Sequence, residues 1–312
     1  MKSVNPVSSV SIGAVTLRAP LVIASGTWSH KPEFWRGAIT EGIGAICTKA
    51  LTLHPRSGNP GIRLWETPCG LLNSIGLQNP GIESFLAEDF PGILAGDVKI
   101  IANVAMERES ETVRVLEILA ERGNGLAAVE LNISCPNVDG GGMTWGSDPL
   151  QAARAVRAAR AAWDGPLWVK LTPQCTDIAS VAKASEKAGA DALVVANTWL
   201  GMAIDAKTET PVFSRIVAGL SGPAVFPLSL RLVWEASAAV TIPVVGCGGV
   251  TRAEDALAMM IAGASAVEMG TAHFTDLSCP GRVTKGILDH LSAKGYASPM
   301  ELVGKGRRLG AV

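Results

Sequence analysis

Cys135 has the side chain and the setting that most favour chemistry in this sequence. It lies in the run NISCPN, which begins at Asn132, and the glycine-rich stretch VDGGGMTWGSDP follows directly. A thiol on such a segment can move toward a substrate and, as a thiolate, can accept a proton. A lone cysteine is more often structural than catalytic, so the argument for a base depends on the residues around it.

Amide and ammonium side chains recur at one end of the predicted strands. Asparagine offers donors and acceptors without net charge, which suits a planar ring of amides and carbonyls such as a pyrimidine or a flavin. A lysine in a strand is costly to bury without an anion or a Schiff-base role. Each residue alone fits a core or loop role, but together they predict a binding site. They are Lys49, Asn73, Asn103, Lys170 and Asn197.

Two glycine-rich strand ends predict a phosphate-binding site. VVGCGGV ends the seventh predicted strand and AVEMGT ends the eighth, which places Gly248, Gly249, Gly270 and Thr271 where barrel enzymes bind phosphate. Glycine lets backbone N–H groups approach an anion closely, and a following helix adds partial positive charge. Gly222, in GLSGP, is a further donor. Barrels that bind phosphorylated substrates have the same feature. The pattern therefore predicts a bound phosphate but does not say which molecule carries it.

Eight short apolar runs would position these residues, and longer stretches with helical periodicity separate them. Runs without polar alternation are typical of parallel strands covered on both faces. Eight such repeats favour a closed (β/α)8 TIM barrel over an open doubly wound sheet. The predicted strands are 21–26, 45–49, 100–104, 127–134, 167–172, 192–198, 243–249 and 266–271.

The segments between these strands also carry signals. Helices are predicted over 110–122, ending at Gly123, after Asp148, and over 177–187, closed by Gly189. The run VSSVSIGAVTLRAP predicts a short N-terminal hairpin that caps the barrel floor. The connections 50–78, 135–147 and 199–222 exceed the roughly 2 to 6 residues of an ordinary βα loop. Each follows a strand, so we expect extended loops on the C-terminal face, where barrel enzymes build their active sites.

Composition narrows the class of protein. The chain has 312 residues, 48% of them hydrophobic and 18% charged, which indicates a globular protein. Its net charge of -1 does not indicate a basic surface for nucleic acid or an acidic membrane. Six cysteines show no C-x-x-C pair and no zinc spacing, so they predict free thiols and no metal site. Neither a signal-peptide core nor a membrane span is visible. We therefore expect a single domain over 1–312, located in the cytoplasm.

A set of motifs along nearly the whole chain resembles the class 1 dihydroorotate dehydrogenases. The run NSIGLQNPG together with ELNISCPN is specific, and it is most similar to the heteromeric NAD-linked branch (class 1B), whose catalytic subunit pairs with an iron–sulfur flavoprotein. The motifs are ASGT (24–27), KALTLHPRSGNP (49–60), LLNSIGLQNPG (71–81), IIANV (100–104), ELNISCPN (130–137), VKLTP (169–173), ANT (196–198), GLSGP (219–223), GCGGV (246–250) and MGTA (269–272).

This resemblance implies an FMN enzyme that oxidises dihydroorotate to orotate in pyrimidine (UMP) biosynthesis, with Cys135 as the base. It implies that a homodimer core pairs with an iron–sulfur FAD electron-transfer subunit in a heterotetramer. The implied substrate-binding residues are Lys49, Asn73, Ser74, Ile75, Gly76, Leu77, Asn132, Asn197 and Thr198. The implied FMN-binding residues are Ser25, Lys49, Ala50, Asn103, Asn132, Lys170, Ala196, Gly222, Gly248, Gly249, Gly270 and Thr271.

Three tryptophans depart from the family pattern: Trp28 after ASG, Trp145 in the glycine-rich loop, and Trp199 after ANT. They bring the packing and gating of the loops into question. Two other functions stay open. One is an FMN-dependent dehydrogenase of uracil- or thymine-like dihydropyrimidines, and the other is a flavin-free phosphate-binding barrel, either a Schiff-base aldolase using Lys170 or a binding protein. The electron acceptor is equally open among NAD through a partner, fumarate and a quinone.

Overall fold

The computed structural model describes residues 7–29, 31, 34, 39–134 and 145–309. Within them, a closed barrel has the strand order β10-β15-β16-β3-β4-β7-β8-β9, and every neighbouring pair is parallel. The predicted (β/α)8 barrel is confirmed, and the open sheet is excluded. The strands are β1 (Val10–Ile12), β2 (Val15–Leu17), β3 (Leu21–Ile23), β4 (Ala45–Cys47), β5 (Leu64–Thr67), β6 (Gly70–Asn73), β7 (Lys99–Ala105), β8 (Ala128–Asn132), β9 (Leu167–Lys170), β10 (Ala192–Val195), β11 (Trp199–Met202), β12 (Ile204–Asp205), β13 (Thr210–Pro211), β14 (Val217–Ser221), β15 (Val244–Cys247) and β16 (Ala266–Met269).

The helices agree with the capping signals in the sequence. Asp148 accepts hydrogen bonds from the backbone N–H groups of Leu150 and Gln151, and Asp177 accepts one from Ala179. A π-helical turn, Phe85–Asp89, joins the first two helices. The helices are α1 (Ile82–Ser84), α2 (Phe90–Leu94), α3 (Glu109–Arg122), α4 (Pro149–Ala162), α5 (Ile178–Lys187), α6 (Phe226–Ala239), α7 (Ala253–Ala262), α8 (Thr271–Thr275), α9 (Cys279–Lys294) and α10 (Lys305–Leu309).

All eight predicted barrel strands are present, but most end earlier than predicted. The prediction 192–198, for example, corresponds to Ala192–Val195. Beyond these bounds the apolar runs keep single backbone hydrogen bonds to their neighbours, such as Asn197 N to Leu171 O at 2.9 Å, but not the regular pairing that defines a strand. The strand β7 is longer than its prediction, 100–104, because its last residues pair with the end of β8, Ala105 opposite Asn132.

The barrel interior has an apolar floor. The side chains of Ile101, Trp168 and Val245 alternate with residues that face the helices, as the two-residue period of a strand requires. The predicted hairpin is confirmed as β1 and β2, and its residues Val10 and Leu17 share one buried cluster with Trp168. The hairpin therefore closes the N-terminal end of the barrel, and the other end stays available for chemistry.

Two of the three long connections, which the sequence predicts only as extended loops, contain strands of their own. The connection after β4 contains β5 and β6, and the one after β10 contains β11 to β14. Four of these strands form one antiparallel sheet in the order β11-β14-β6-β5, with Leu72, Phe213 and Ala218 buried beneath it. The two insertions therefore stabilise each other above the barrel mouth.

Candidate active site

The amides at the ends of β8 and β10 lie within hydrogen-bond distance of each other. Asn197 Nδ2 donates to Asn132 Oδ1 at 3.3 Å and to Ser134 Oγ at 2.5 Å, and the Ser134 hydroxyl in turn donates to Asn132 Oδ1. Ser134 was not predicted as a site residue. Its place directly before Cys135 could have identified it, because a base needs a fixed point from which its loop leaves the barrel.

Cys135, the predicted base, lies outside the described residues, as do the residues up to 144. The segments on either side are well anchored. Ser134 N donates to Asn132 Oδ1 at 3.2 Å on one side. On the other side Trp145 is buried, its Nε1 donates to Glu107 O at 3.1 Å, and the Arg154 guanidinium lies 5.5 Å from its ring centre. Trp145 is therefore anchored at the point where the described chain resumes after residue 144.

The run from Asn73 to Leu77 forms a strap across the mouth. Asn73 Nδ2 donates to Gly219 O at 3.2 Å, and a side chain at Gly219 would meet Asn73 and Thr198. Ser74 Oγ accepts from Asn59 Nδ2 at 3.0 Å, and Ile75 O accepts from Asn59 N at 3.0 Å.

The strap also needs a glycine at one position. Gly76 has a φ of 74°, and an added Cβ would lie 2.6 Å from Asn59 N, so no larger residue fits there. Leu77 has a φ of 56° as well. The strap therefore holds the predicted substrate residues Asn73 to Leu77 next to Thr198.

Two cations lie at the mouth. Lys49 follows β4 and is partly buried, and burial, together with the nearby Arg63 charge, lowers the pKa of its ammonium. Arg63 is held by Asn59 O at 2.7 Å, Ser57 O at 2.8 Å and Gln78 Oε1 at 3.1 Å. Arg63 was missed in the sequence although its charge was visible. A pair of cations in a polar mouth is suited to an anionic substrate.

One layer below the mouth, the barrel interior contains a cluster that we call the interior charge layer: Cys47, Asn103, Glu130, Lys170 and Glu268. Lys170 Nζ lies 2.6 Å from Glu268 Oε2 and 3.4 Å from Glu130 Oε1. Glu130 Oε1 also accepts from Asn103 Nδ2 at 2.5 Å and from Cys47 Sγ at 3.3 Å. All five side chains are buried.

Glu130 and Glu268 were not predicted as site residues from the sequence. Each is a charged residue in an otherwise apolar strand, in AVELN and AVEM, and the argument that a buried lysine needs an anion applied to them directly. Asn103 Oδ1 has no hydrogen-bond partner among the described residues, although the side chain is fully buried. An unsatisfied buried amide oxygen in a barrel core indicates a place for a ligand's N–H group.

The predicted phosphate residues gather around the start of α6. Gly248 and Gly249 have φ values of 123° and 79°, and a Cβ on Gly249 would lie 2.7 Å from the backbone of Phe226. Gly222 has a φ of 99°, and its Cβ would lie 2.7 Å from Gly70 Cα and 3.5 Å from Thr271. These three glycines have no room for a side chain, so the backbone of this cradle can come close to an anion.

A third strand end, that of β16, also lies beside the cradle. Gly270 precedes α8, and a Cβ on it would lie 3.2 Å from Thr27 and 3.5 Å from Ala24, beside the turn that contains Ser25. Thr271 Oγ1 donates to Ser221 Oγ at 2.8 Å, next to Gly222. Four separate segments, 24–27, 221–222, 248–249 and 270–271, thus lie on this side of the mouth.

The other predicted cofactor residues are distributed around the mouth. Ala50 is buried beyond the end of β4, and Ala196 is buried beyond the end of β10, where its N–H donates to Cys247 O at 3.0 Å. Asn132 is opposite Lys170 in the register of β8 and β9. The predicted residues therefore form two connected levels, with the amides at the mouth above and Lys170 and Asn103 below.

The three unusual tryptophans pack on this machinery. Trp28 stacks on His273 of α8, with ring centres 4.8 Å apart and planes 12° from parallel. Trp199 Nε1 lies 3.4 Å from Ser229 Oγ, against which Gly248 packs. Both rings therefore pack beside the predicted phosphate residues, while Trp145 is buried against the backbone of Glu107.

A parallel eight-stranded barrel with polar side chains at its C-terminal mouth and glycine-rich ends on its last strands is typical of barrel enzymes. A sequence profile of the dihydroorotate dehydrogenase family matches residues 7–291. The chain belongs to this family, in its class 1B branch, and is thus an oxidoreductase that converts dihydroorotate to orotate in pyrimidine biosynthesis with a flavin cofactor.

Relatives of known function are similar over nearly their whole length. The chain is 44% identical to the catalytic subunit of dihydroorotate dehydrogenase B (NAD(+)) from Geotalea daltonii, over 96% of this chain and 98% of the relative. It is 45% identical to the same subunit from Trichlorobacter lovleyi over the same shares, and 43% identical to that from Bacteroides thetaiotaomicron over 95% and 97%.

Proposed function

We propose that the flavin of this chain is FMN, whose phosphate the glycine cradle would hold and whose ring Lys170 would contact. The main support is that Gly222, Gly248 and Gly249, which have no room for side chains, lie around the start of α6, with Thr271 next to Gly222. The unsatisfied Asn103 Oδ1 and the amide of Asn132 suit the edge of a flavin ring. Ser25, Lys49, Ala50, Ala196 and Gly270 are the remaining proposed contacts.

The substrate is proposed to lie at the mouth, under the strap. Asn73 to Leu77, Asn132, Asn197 and Thr198 are the proposed partners of its ring amides and carbonyls. Lys49 is the proposed partner of its carboxylate, because Lys49 and Arg63 make this side of the mouth cationic. This charge favours dihydroorotate over uracil- or thymine-like dihydropyrimidines, which lack a carboxylate.

Cys135 is proposed as the general base. Its thiolate would remove the proton from carbon 5 of dihydroorotate, and a hydride leaves carbon 6 in the same oxidation. When bound, the flavin supplies the acceptor for that hydride. The Ser134 contacts to Asn132 and Asn197 would fix the point at which the Cys135 loop leaves the barrel. Lys170 would stabilise the negative charge of the reduced cofactor.

For the assembly, we propose a homodimer core that pairs with an iron–sulfur FAD subunit in a heterotetramer. The support is that the relatives are catalytic subunits of NAD-dependent enzymes, whereas this sequence has no cluster-binding cysteine pattern. Residues 1–312 are proposed to form one domain, because the hairpin and the inserted sheet both pack on the barrel. Within the described part of the chain, no helix combines the length and apolar character needed to cross a membrane. The cytoplasmic location stays a prediction.

One experiment tests the proposed chemistry. The purified chain is denatured and its released flavin is separated by chromatography, and the native protein is then mixed anaerobically with dihydroorotate or with dihydrouracil. We expect FMN, and bleaching of the flavin by dihydroorotate only. Release of FAD would refute the single-phosphate cradle. Equal bleaching by dihydrouracil would favour the dihydropyrimidine alternative, and a colourless protein that cannot be reconstituted would favour the flavin-free barrel.

A further inference from the structure

Three barrel strands each direct one charged side chain into the interior charge layer: β8 directs Glu130, β9 directs Lys170 and β16 directs Glu268. The two glutamate side chains are fully buried, and that of Lys170 is 5% exposed. One ammonium thus faces two carboxyl groups away from water. If both carboxyls were ionised, the layer would contain an uncompensated negative charge, which is costly to bury.

The hydrogen bonds decide which carboxyl keeps a proton. Glu130 accepts from Asn103 and Cys47 and also contacts Lys170, so three donors favour its ionised form. Glu268 has fewer donors, the Lys170 ammonium at 2.6 Å and the weakly donating Cys247 thiol. Glu130 Oε2 and Glu268 Oε1 have no donor among the described residues. If one carboxyl carries a proton, it can donate a hydrogen bond to the other. That proton belongs on Glu268.

The pKa directions agree with this assignment. Burial and the Glu130 charge raise the pKa of Glu268 to about 8. Burial opposes ionisation of Glu130 as well, but Lys170 and the hydrogen bonds outweigh it and hold its pKa below the ordinary value. The other titratable groups that face Glu268 are Cys47 and Cys247, and burial raises the pKa of both thiols, which therefore stay neutral.

We propose that Glu268 is a positioning residue for the flavin reaction, which holds the Lys170 ammonium in place and binds an exchangeable proton that follows the redox state of the flavin. The proposal rests on the proposed binding of FMN over Lys170. Two electrons and one proton convert the flavin to its anionic reduced form. The added negative charge next to Lys170 makes ionisation of Glu268 less favourable, so Glu268 takes up a second proton from solvent wherever it was ionised before reduction.

This coupling has a definite sign. Below about pH 8 Glu268 is protonated in both redox states, and reduction takes up one proton. Above that pH, Glu268 is ionised when the flavin is oxidised and protonated when it is reduced, so reduction takes up two. A tenfold change in proton activity corresponds to about 30 mV for a two-electron couple. The slope of potential against pH should therefore double, from about 30 to about 60 mV per pH unit.

Spectroelectrochemical titration of the flavin-loaded protein between pH 6 and 9.5 tests this slope. In the unaltered chain we expect a break near pH 8, the point at which the slope of potential against pH changes. The break should be absent in Glu268→Gln, because its neutral amide resembles the protonated acid. Below the break the two proteins should have similar potentials. In infrared difference spectra recorded above pH 8, reduction should add a carboxylic acid band that Glu268→Gln lacks.

Two further variants, Glu130→Gln and Glu268→Met, test whether Glu268 causes the break. Glu130→Gln removes the competing negative charge, so Glu268 should ionise more readily and its break should move to lower pH. Glu268→Met, of similar length, replaces Glu268→Gln if the amide does not fold. If the flavin-loaded chain shows a single slope, or if the break persists in Glu268→Gln, the proposed role of Glu268 is wrong while the proposed cofactor still stands. A chain that binds no flavin would overturn the proposed cofactor as well.

Discussion

At the scale of single residues, charge at the mouth should control the choice of substrate. Lys49→Gln should weaken orotate binding about 10- to 150-fold, because a hydrogen bond to a charged group contributes about 1.5–3 kcal/mol. Binding should also weaken as pH rises through the lowered pKa of Lys49, at a lower pH than for an ordinary lysine. Titration of the flavin absorbance with orotate measures both effects.

The matched control is Lys99→Gln. Lys99 is an exposed lysine at the start of β7, at the opposite end of the barrel from the mouth. It should bind orotate as tightly as the unaltered chain. If Lys49→Gln also binds orotate with unchanged affinity, Lys49 is not the carboxylate partner.

Removal of the proposed base should stop the first half-reaction without emptying the site. General-base catalysis contributes about 10²–10⁴-fold, so Cys135→Ala should reduce its flavin that much more slowly while it still binds orotate. Cys135→Ser should retain some activity, shifted to higher pH because a hydroxyl is a weaker acid. Stopped-flow flavin reduction by dihydroorotate isolates this step.

Cys279→Ser is the control for thiol removal. Cys279 is a buried cysteine at the start of α9, and its Sγ donates to Thr251 O at 3.3 Å, a bond that a serine hydroxyl can keep. Its flavin reduction should be normal. Normal reduction in Cys135→Ala too would show that the base lies elsewhere.

The types of the candidate site residues are visible in the sequence, but their pairing is not. Lys170 was expected to need an anion, yet Glu268, its partner at 2.6 Å, is 98 positions away, and only closure of the barrel brings them together. Arg63 was missed for the same reason, because its relation to Lys49 depends on how the strap folds back. Residue type is visible in a sequence, whereas distance is set by the tertiary fold.

At the scale of elements, the phosphate cradle depends on strand ends that approach α6 closely. Gly249→Ala would place a methyl group 2.7 Å from the backbone of Phe226 at a φ of 79°. The variant should lose most of its FMN on gel filtration and should melt at a lower temperature. Flavin content per chain and thermal unfolding measure the two effects.

Gly295→Ala separates backbone strain from the loss of the cradle. Gly295 ends α9 with a φ of 72°, and an added Cβ would meet nothing within 4 Å. This variant should lose about 1 kcal/mol of stability from the left-handed backbone alone and keep its FMN. If Gly249→Ala retains FMN as well as Gly295→Ala does, the cradle is not the phosphate site.

Burial decides which strands could be predicted from the sequence. The barrel strands are buried on both faces, so each leaves an apolar run that is readable without its partners. The inserted sheet leaves no such signal. Three of the four residues of β5 are exposed, β11 alternates partly buried and exposed residues, and β6 pairs with β14 between Asn73 and Gly219, 146 positions apart. Such pairing depends on the barrel that brings both insertions to one face.

At the scale of the whole molecule, electrons that enter the flavin must leave it again. The six cysteines of the sequence form no C-x-x-C pair, and those that the structure describes are mostly enclosed: Cys47, Cys247 and Cys279 are buried and Cys175 partly so. Burial also raises the thiol pKa of all four, which disfavours the thiolates that an iron–sulfur cluster needs. These observations support the proposal that a cluster on the route to NAD belongs to another chain.

The isolated chain should consequently oxidise dihydroorotate with an artificial one- or two-electron dye as acceptor, and should reduce NAD poorly or not at all. Addition of an iron–sulfur FAD subunit should restore NAD reduction without changing the rate at which dihydroorotate bleaches the FMN, because that half-reaction uses residues of this chain only. Steady-state assays with dye, fumarate, quinone and NAD, each with and without the second subunit, measure the outcome. Rapid NAD reduction by the isolated chain would contradict the two-subunit route, and rapid fumarate reduction would assign the electrons to a different acceptor.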